Sequence, residues 1–138
     1  MKLYAYVDGS CFGNPGEAGY GFVIQDSEGN PLEEQGVYIG RATNNIAEYS
    51  ALIGCLDALI KYKPDEVTVY SDSQLLVNQI NGDYAVKKDH LKELYSKVMH
   101  KINKLSAPVK IVHVLRDKNK KADSLARKAV LKKESITI

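Results

Sequence analysis

A chain of 138 residues, 44% hydrophobic and 26% charged, has room for one ordinary core and for little beyond a single domain. No apolar stretch approaches the ~20 residues that span a bilayer, which excludes a membrane-helix protein. The net charge of +2 is unevenly spread: residues 1–86 carry 4 Lys/Arg and 12 Asp/Glu (−8), residues 87–138 carry 15 and 5 (+10).

Residues 2–9 alternate or run apolar and read as a strand, with Asp8 closing the run Leu3-Tyr4-Ala5-Tyr6-Val7. Residues 9–19 are glycine-rich and read as a turn-forming segment. Tyr20 to Gln25 form a second strand, residues 26–31 a turn, and residues 32–40 a third strand, so the opening is an antiparallel meander. Ile46, Tyr49, Leu52, Ile53, Leu56, Leu59 and Ile60 then recur at three- and four-residue steps, which marks a helix. After Pro64 comes a short β-branched strand, Glu66 to Ser71, with Asp72 directly behind it.

A brief helix from Ser73 to Ile80 stops at Asn81-Gly82, and a longer one spans roughly 88–104. Residues 109–114 read as a strand, a last helix runs from about Asn119 to Leu131, and residues 132–138 read as a tail to a domain of residues 1–131. The order βββ-α-β-α-α-β-α implies an α/β fold: a five-stranded mixed sheet with helices on both faces. Ligands of such sheets gather at the carboxyl ends of the strands, where Asp8 and Asp72 fall on adjacent parallel strands.

Met1-Lys2-Leu3-Tyr4 runs straight into strand-like sequence, with no signal-peptide core. Cys11 and Cys55 fit no metal-ligand spacing. The expectation is a cytoplasmic protein with reduced thiols.

Four carboxylates carry the chemistry: Asp8, Glu48, Asp72 and Asp123. Each lies in sequence that reads as buried structure, where an acid is costly unless a cation or hydrogen bonds compensate. Each of the three later acids has a purely structural alternative. Asn45-x-x-Glu48 is close to a capping box, Asp72 could cap the helix that begins at Ser73, and Asp123 could favour a helix dipole. Asp8 caps nothing. Four acids converging on one edge form an oxygen-rich cage for hard divalent cations, and two cations ~3.5–4 Å apart meet the needs of phosphodiester hydrolysis. A basic C-terminal third beside that cage suits a polyanion.

The segments Asp8-Gly9-Ser10-Cys11-Phe12-Gly13-Asn14-Pro15-Gly16, Thr43-Asn44-Asn45-Ile46-Ala47-Glu48, Tyr70-Ser71-Asp72-Ser73-Gln74 and Asn119-Lys120-Lys121-Ala122-Asp123-Ser124-Leu125-Ala126 resemble, in order, the motifs of type 1 ribonuclease H. The resemblance covers about residues 1–131. It implies the ribonuclease H-like fold and an endonuclease that cuts the RNA strand of RNA–DNA hybrids, leaving 5′-phosphate and 3′-hydroxyl ends. It implies two Mg²⁺ per active site, with Mn²⁺ as substitute. By motif position Asp8 would bridge both metals, Glu48 and Asp72 would complete one site, and Asp123 the other. Hybrid contacts would fall to Cys11, Gly13, Asn14, Asn44 and Gln74, and Thr43 and Asn45 would form part of a pocket for a DNA-strand phosphate.

Two departures stand out. Many members carry a Trp- and Lys-rich basic protrusion after the second helix; here only Gly82-Asp83-Tyr84-Ala85-Val86-Lys87-Lys88 joins the helices, which leaves Lys87 and Lys88 as substitutes. Well-known bacterial members also have a mobile His before the last acid. Here Leu115-Arg116-Asp117-Lys118 has none, so Arg116 is either a catalytic residue at that position or a solvated loop residue, and His113 reads as a strand residue. No obligate protein partner is implied and a monomer is expected. A non-catalytic nucleic-acid-binding module and another nuclease or transposase of the superfamily are the competing readings.

Overall fold

A computed structural model describes residues 1–138. Strand β1 (Lys2–Gly13) pairs antiparallel with β2 (Gly16–Gln25), and β2 pairs antiparallel with β3 (Pro31–Ala42). The glycine-rich segment is therefore mostly strand, not turn. The ladder runs on through Ser10↔Gly19 and Phe12↔Glu17 to Gly13↔Gly16, leaving only Asn14 and Pro15 at the tip, joined by a cis bond. Gly13 takes a φ of +107°, which a side chain would oppose.

Helix α1 (Asn44–Ile60) follows, then β4 (Glu66–Ser71), α2 (Gln74–Ile80), α3 (Asp89–Leu105), β5 (Val109–His113), a single 3₁₀ turn (Arg116–Lys118), α4 (Lys120–Lys132) and β6 (Ile136–Thr137). The sheet order is β5-β4-β1-β2-β3-β6, with β4 parallel to both β1 and β5. The sheet thus has six strands where five were expected. The sixth lies in the segment read as a tail and pairs Thr137 and Ile136 with Gln35 and Gly36. At two residues, behind Lys132-Lys133-Glu134, it is too short to show a period.

Helices α1, α2 and α3 cover one face. Leu3, Ala5, Val7, Phe22, Ile24, Val67 and Val69 pack there against Leu52, Leu56, Leu59, Leu76 and Val98 in the main core. Helix α4 lies on the other face, over β2 and β3, and glycine lets it sit close. A methyl at Gly21 would collide with the backbone oxygen of Ala122, and one at Gly19 would lie 2.8 Å from Val37 O and 2.9 Å from Val130 Cγ2. The ion pairs Lys121–Glu34 (3.1 Å) and Lys133–Glu17 (3.4 Å) tie α4 to the strands beneath. No helix is long and apolar enough to cross a membrane.

Candidate active site

The site forms where two parallel strands part. The β1–β4 ladder ends at Val7↔Ser71, while β1 continues along β2 for six further residue pairs. Asp8 is the first residue of β1 beyond that divergence, and Asp72 follows the last residue of β4. Glu48 enters from the first turns of α1, which approaches β1 closely because residue 9 is glycine: a methyl there would lie 2.6 Å from Glu48 N. The Gly9 N–H donates to Glu48 Oε1, so the same glycine gives this acid its one backbone donor.

One oxygen from each of Asp8, Glu48 and Asp72 lies within 4.8 Å of the others. Asp8 is 6% exposed and Glu48 9%. Burial first, then the charges of Glu48 and Asp72, push the Asp8 carboxyl up to about 10. Burial also raises Glu48, against the opposing Gly9 N–H. Asp72 Oδ2 is buried with no hydrogen-bond partner. Three acids with an orphaned oxygen form a donor set for a hard divalent cation: all oxygen, negatively charged and partly dry. The set fits Mg²⁺ or Mn²⁺ on the donors' chemistry.

Asp123 stands outside this group of three. It lies in the first turn of α4, half-buried, and accepts a hydrogen bond from Arg127 Nε at 3.2 Å. It is near enough to raise Asp8 further, as the weakest of the acidic influences on that residue. Two buried residues hold α4 and β4 in place around the site. Asn119, 1% exposed, donates from Nδ2 to Val7 O at 2.8 Å and so ties the start of α4 to the residue before Asp8. Ser71, fully buried, accepts the Ser73 N–H on its Oγ at 3.0 Å. Sequence reasoning assigned no role to Asn119, Ser71 or Arg127. Only Arg127 left a signal, an opposite charge four residues after Asp123.

The structural alternatives for two of the acids fail. The cap of α1 is Thr43, whose Oγ1 accepts the Ile46 N–H at 3.3 Å, and Glu48 points to Gly9 rather than back to the helix start. The cap of α2 is Ser73, accepting from Leu76 N, which leaves Asp72 without a capping duty. Asp123 does occupy a helix first turn.

The remaining residues singled out in the sequence fall into three places. Cys11, Gly13 and Asn14 lie at the β1–β2 tip, and Asn14 Oδ1 accepts the Asn44 N–H at 2.9 Å, joining that tip to the start of α1 beside Thr43 and Asn45. Gln74 is the exposed first residue of α2. Lys87 and Lys88 are exposed immediately before α3. Arg116 is exposed in the 3₁₀ turn, and His113 ends β5.

Residues 6–129 match the family described as reverse transcriptase-like. A ribonuclease HI of Halobacterium salinarum is 36% identical over 129 residues, covering 94% of this chain and 64% of that protein. The chain spans less than two thirds of the length of the first curated relatives it matches. Among solved structures, the RNase H1 of the same archaeon is 36% identical, with a TM-score of 0.91 over 96% of this chain and 99% of the other. LC11-RNase H1 in complex with an RNA/DNA hybrid is 42% identical, with a TM-score of 0.89 over 95% of this chain and 98% of the other. With its strand order, its carboxylate cluster and these likenesses taken together, the chain belongs to the ribonuclease H type 1 family.

Proposed function

We propose that the protein is a metal-dependent endoribonuclease that hydrolyses the RNA strand of RNA–DNA hybrids and leaves 5′-phosphate and 3′-hydroxyl ends. The observation that carries this reading is the cluster of Asp8, Glu48 and Asp72 at the parting of β1 and β4. A neighbour of similar fold, LC11-RNase H1, is seen in complex with an RNA/DNA hybrid, which supports the hybrid as substrate. Two divalent cations, Mg²⁺ or in its place Mn²⁺, activate the attacking water and stabilise the leaving oxygen when bound.

In this reading the chain's own residues divide the work. Asp8 would serve both cations, Glu48 and Asp72 would help hold one, and Asp123 would help hold the other. The fold holds Asp8, Glu48 and Asp72 close before any cation arrives, so little reorganisation of these three is left for the moment of reaction. Glu48 also meets the 2′-hydroxyl of the RNA, which is how a site tells ribose from deoxyribose. Asn14 and Asn44 are already joined by a hydrogen bond, which presents them to the hybrid as one rigid patch with Cys11 and Gly13. Gln74 extends that patch from α2. Thr43 and Asn45 take a DNA-strand phosphate at the start of α1, Lys87 and Lys88 add charge where the basic protrusion is absent, and Arg116 donates to a phosphate near the cut.

The same reading places the protein in the cytoplasm, with Cys11 and Cys55 as free thiols, acting as a monomer without an obligate protein partner. Incubation in Mg²⁺ with a labelled RNA–DNA hybrid, DNA duplex and single-stranded RNA tests the activity. Internal cuts confined to the RNA of the hybrid are expected. Equal cutting of the DNA duplex, or none of any substrate, would overturn the assignment.

A further inference from the structure

The four acids are unequally compensated. Asp8, Glu48 and Asp72 take part in none of the ion pairs of the chain. Asp123 has a cation in contact, the guanidinium of Arg127 one helical turn later, with Nε 3.2 Å from Oδ1. Arg127 makes no other ion pair, its side chain is 60% exposed, and that of Asp123 is 32% exposed. Asp123 also lies in the first turn of a 13-residue helix, where the helix dipole favours its charge.

A carboxylate so placed has less to gain from a metal ion than one in the cluster of three. An arriving cation must share or displace Arg127, and it approaches a carboxylate whose charge is already part-neutralised. The pair is exposed and one turn apart, so its hold is weak enough to break. The fixed positive charge nearby still opposes a divalent ion at close range.

Building on the metal sites of the proposed function, we propose that Arg127 is a displaceable counter-ion for Asp123, making occupation of the second cation position the weaker and later step. The first cation enters the cluster of Asp8, Glu48 and Asp72, where no basic side chain competes. The second enters only as Arg127 releases Asp123. Cation concentration then sets how much of the enzyme is fully loaded, and Arg127 sets that threshold.

Titration of the folded protein with Mn²⁺, following free Mn²⁺ by its paramagnetic resonance signal, tests this without reference to activity. The wild type is expected to show a tighter and a weaker class of site. In Arg127→Ala the weaker class should tighten by about three- to tenfold, the range expected when one nearby unit charge on a half-exposed carboxylate is removed, while the tighter class stays put. Arg127→Lys, which keeps a cation at the same spacing, should stay close to wild type, and Asp123→Asn should abolish the weaker class with or without Arg127. An unchanged weaker class in Arg127→Ala, an equal shift in both classes, or no weaker class in either protein would overturn the role of Arg127. Absence of the tighter class from the wild type would instead overturn the metal site of the proposed function itself. Circular dichroism of each variant, expected to match wild type at these exposed positions, separates a change in binding from loss of fold.

Discussion

The two sides of the candidate site hold the same kind of group under opposite conditions. On the sheet side, Asp8 and Glu48 are nearly dry and crowd Asp72 with no cation in contact. On the α4 side, Asp123 is half-solvated, near a helix N-terminus, and paired with Arg127. The difference shows which part of the molecule is under electrostatic load. Burying Asp8 and Glu48 together beside Asp72 costs stability that the Gly9 N–H returns only in part, because burial opposes ionisation of both and neighbouring charge adds to it. Such a cluster becomes favourable once an external cation is bound, whereas Asp123 is already at ease without one.

The largest expected effect comes from breaking the loaded side. Asp8→Asn, Glu48→Gln and Asp72→Asn should each lower hybrid cleavage at least about a hundredfold, about 2.7 kcal/mol in barrier terms, while the circular dichroism spectrum stays unchanged. A variant retaining more than about a tenth of the wild-type rate would remove that residue from the cation shell. The packing that brings the two sides together comes next. Gly21→Ala pushes a methyl into the backbone of Ala122, next to Asp123. It should cost about 1–3 kcal/mol in urea unfolding, as overpacking does, and lower cleavage as α4 shifts. No change in the unfolding midpoint would show that α4 does not rest on that glycine.

Arg116 offers a smaller, sharper contrast on the exposed rim. Arg116→Ala should slow multiple-turnover cleavage about tenfold, some 1.4 kcal/mol, through lost bidentate contact with phosphate. Lys118→Ala, two residues on in the same 3₁₀ turn, should mainly alter the salt dependence. Equal small effects would make Arg116 a solvated residue.

A further contrast lies in pH-dependent stability. A carboxyl whose folded pKa, about 10 for Asp8, exceeds its unfolded value holds its proton more tightly when folded. Its contribution to stability therefore falls as pH rises from about 4 toward 10. The metal-free unfolding temperature should decline across that window in the wild type and decline less in Asp8→Asn. Parallel curves for the two proteins would show that Asp8 carries no such load.

Much of this arrangement was readable before the structure. The order of elements follows from periodicity, and Asp8 and Asp72 announce themselves by closing apolar runs that become neighbouring parallel strands. What was hidden has physical reasons. Residues 9–19 read as turn because glycine usually signals one, yet Gly9 serves close approach of α1 while Gly13, at positive φ, serves the turn. Asn45 and Asp72 looked like caps because Asn and Asp commonly are. Thr43 and Ser73 take those places, and only the hydrogen bonds distinguish a cap from its neighbour. The bond from Asn119 to Val7 O joins residues 112 positions apart, a distance over which no local pattern survives. Arg127 was legible in spacing alone, but a Lys-rich helix offers many such spacings and only the contact singles one out.

The carboxylate cluster is expected to be destabilising alone and favourable with a cation, and thermal unfolding in rising Mn²⁺ tests this most directly. At neutral pH the wild type should start low and climb with Mn²⁺ by mass action on the folded state. Asp8→Asn should start at or above the metal-free wild type and climb far less, because an amide at this position avoids the burial cost and the repulsion that raise Asp8. A metal-free midpoint for Asp8→Asn well below wild type, or an equal climb in both proteins, would contradict the claim.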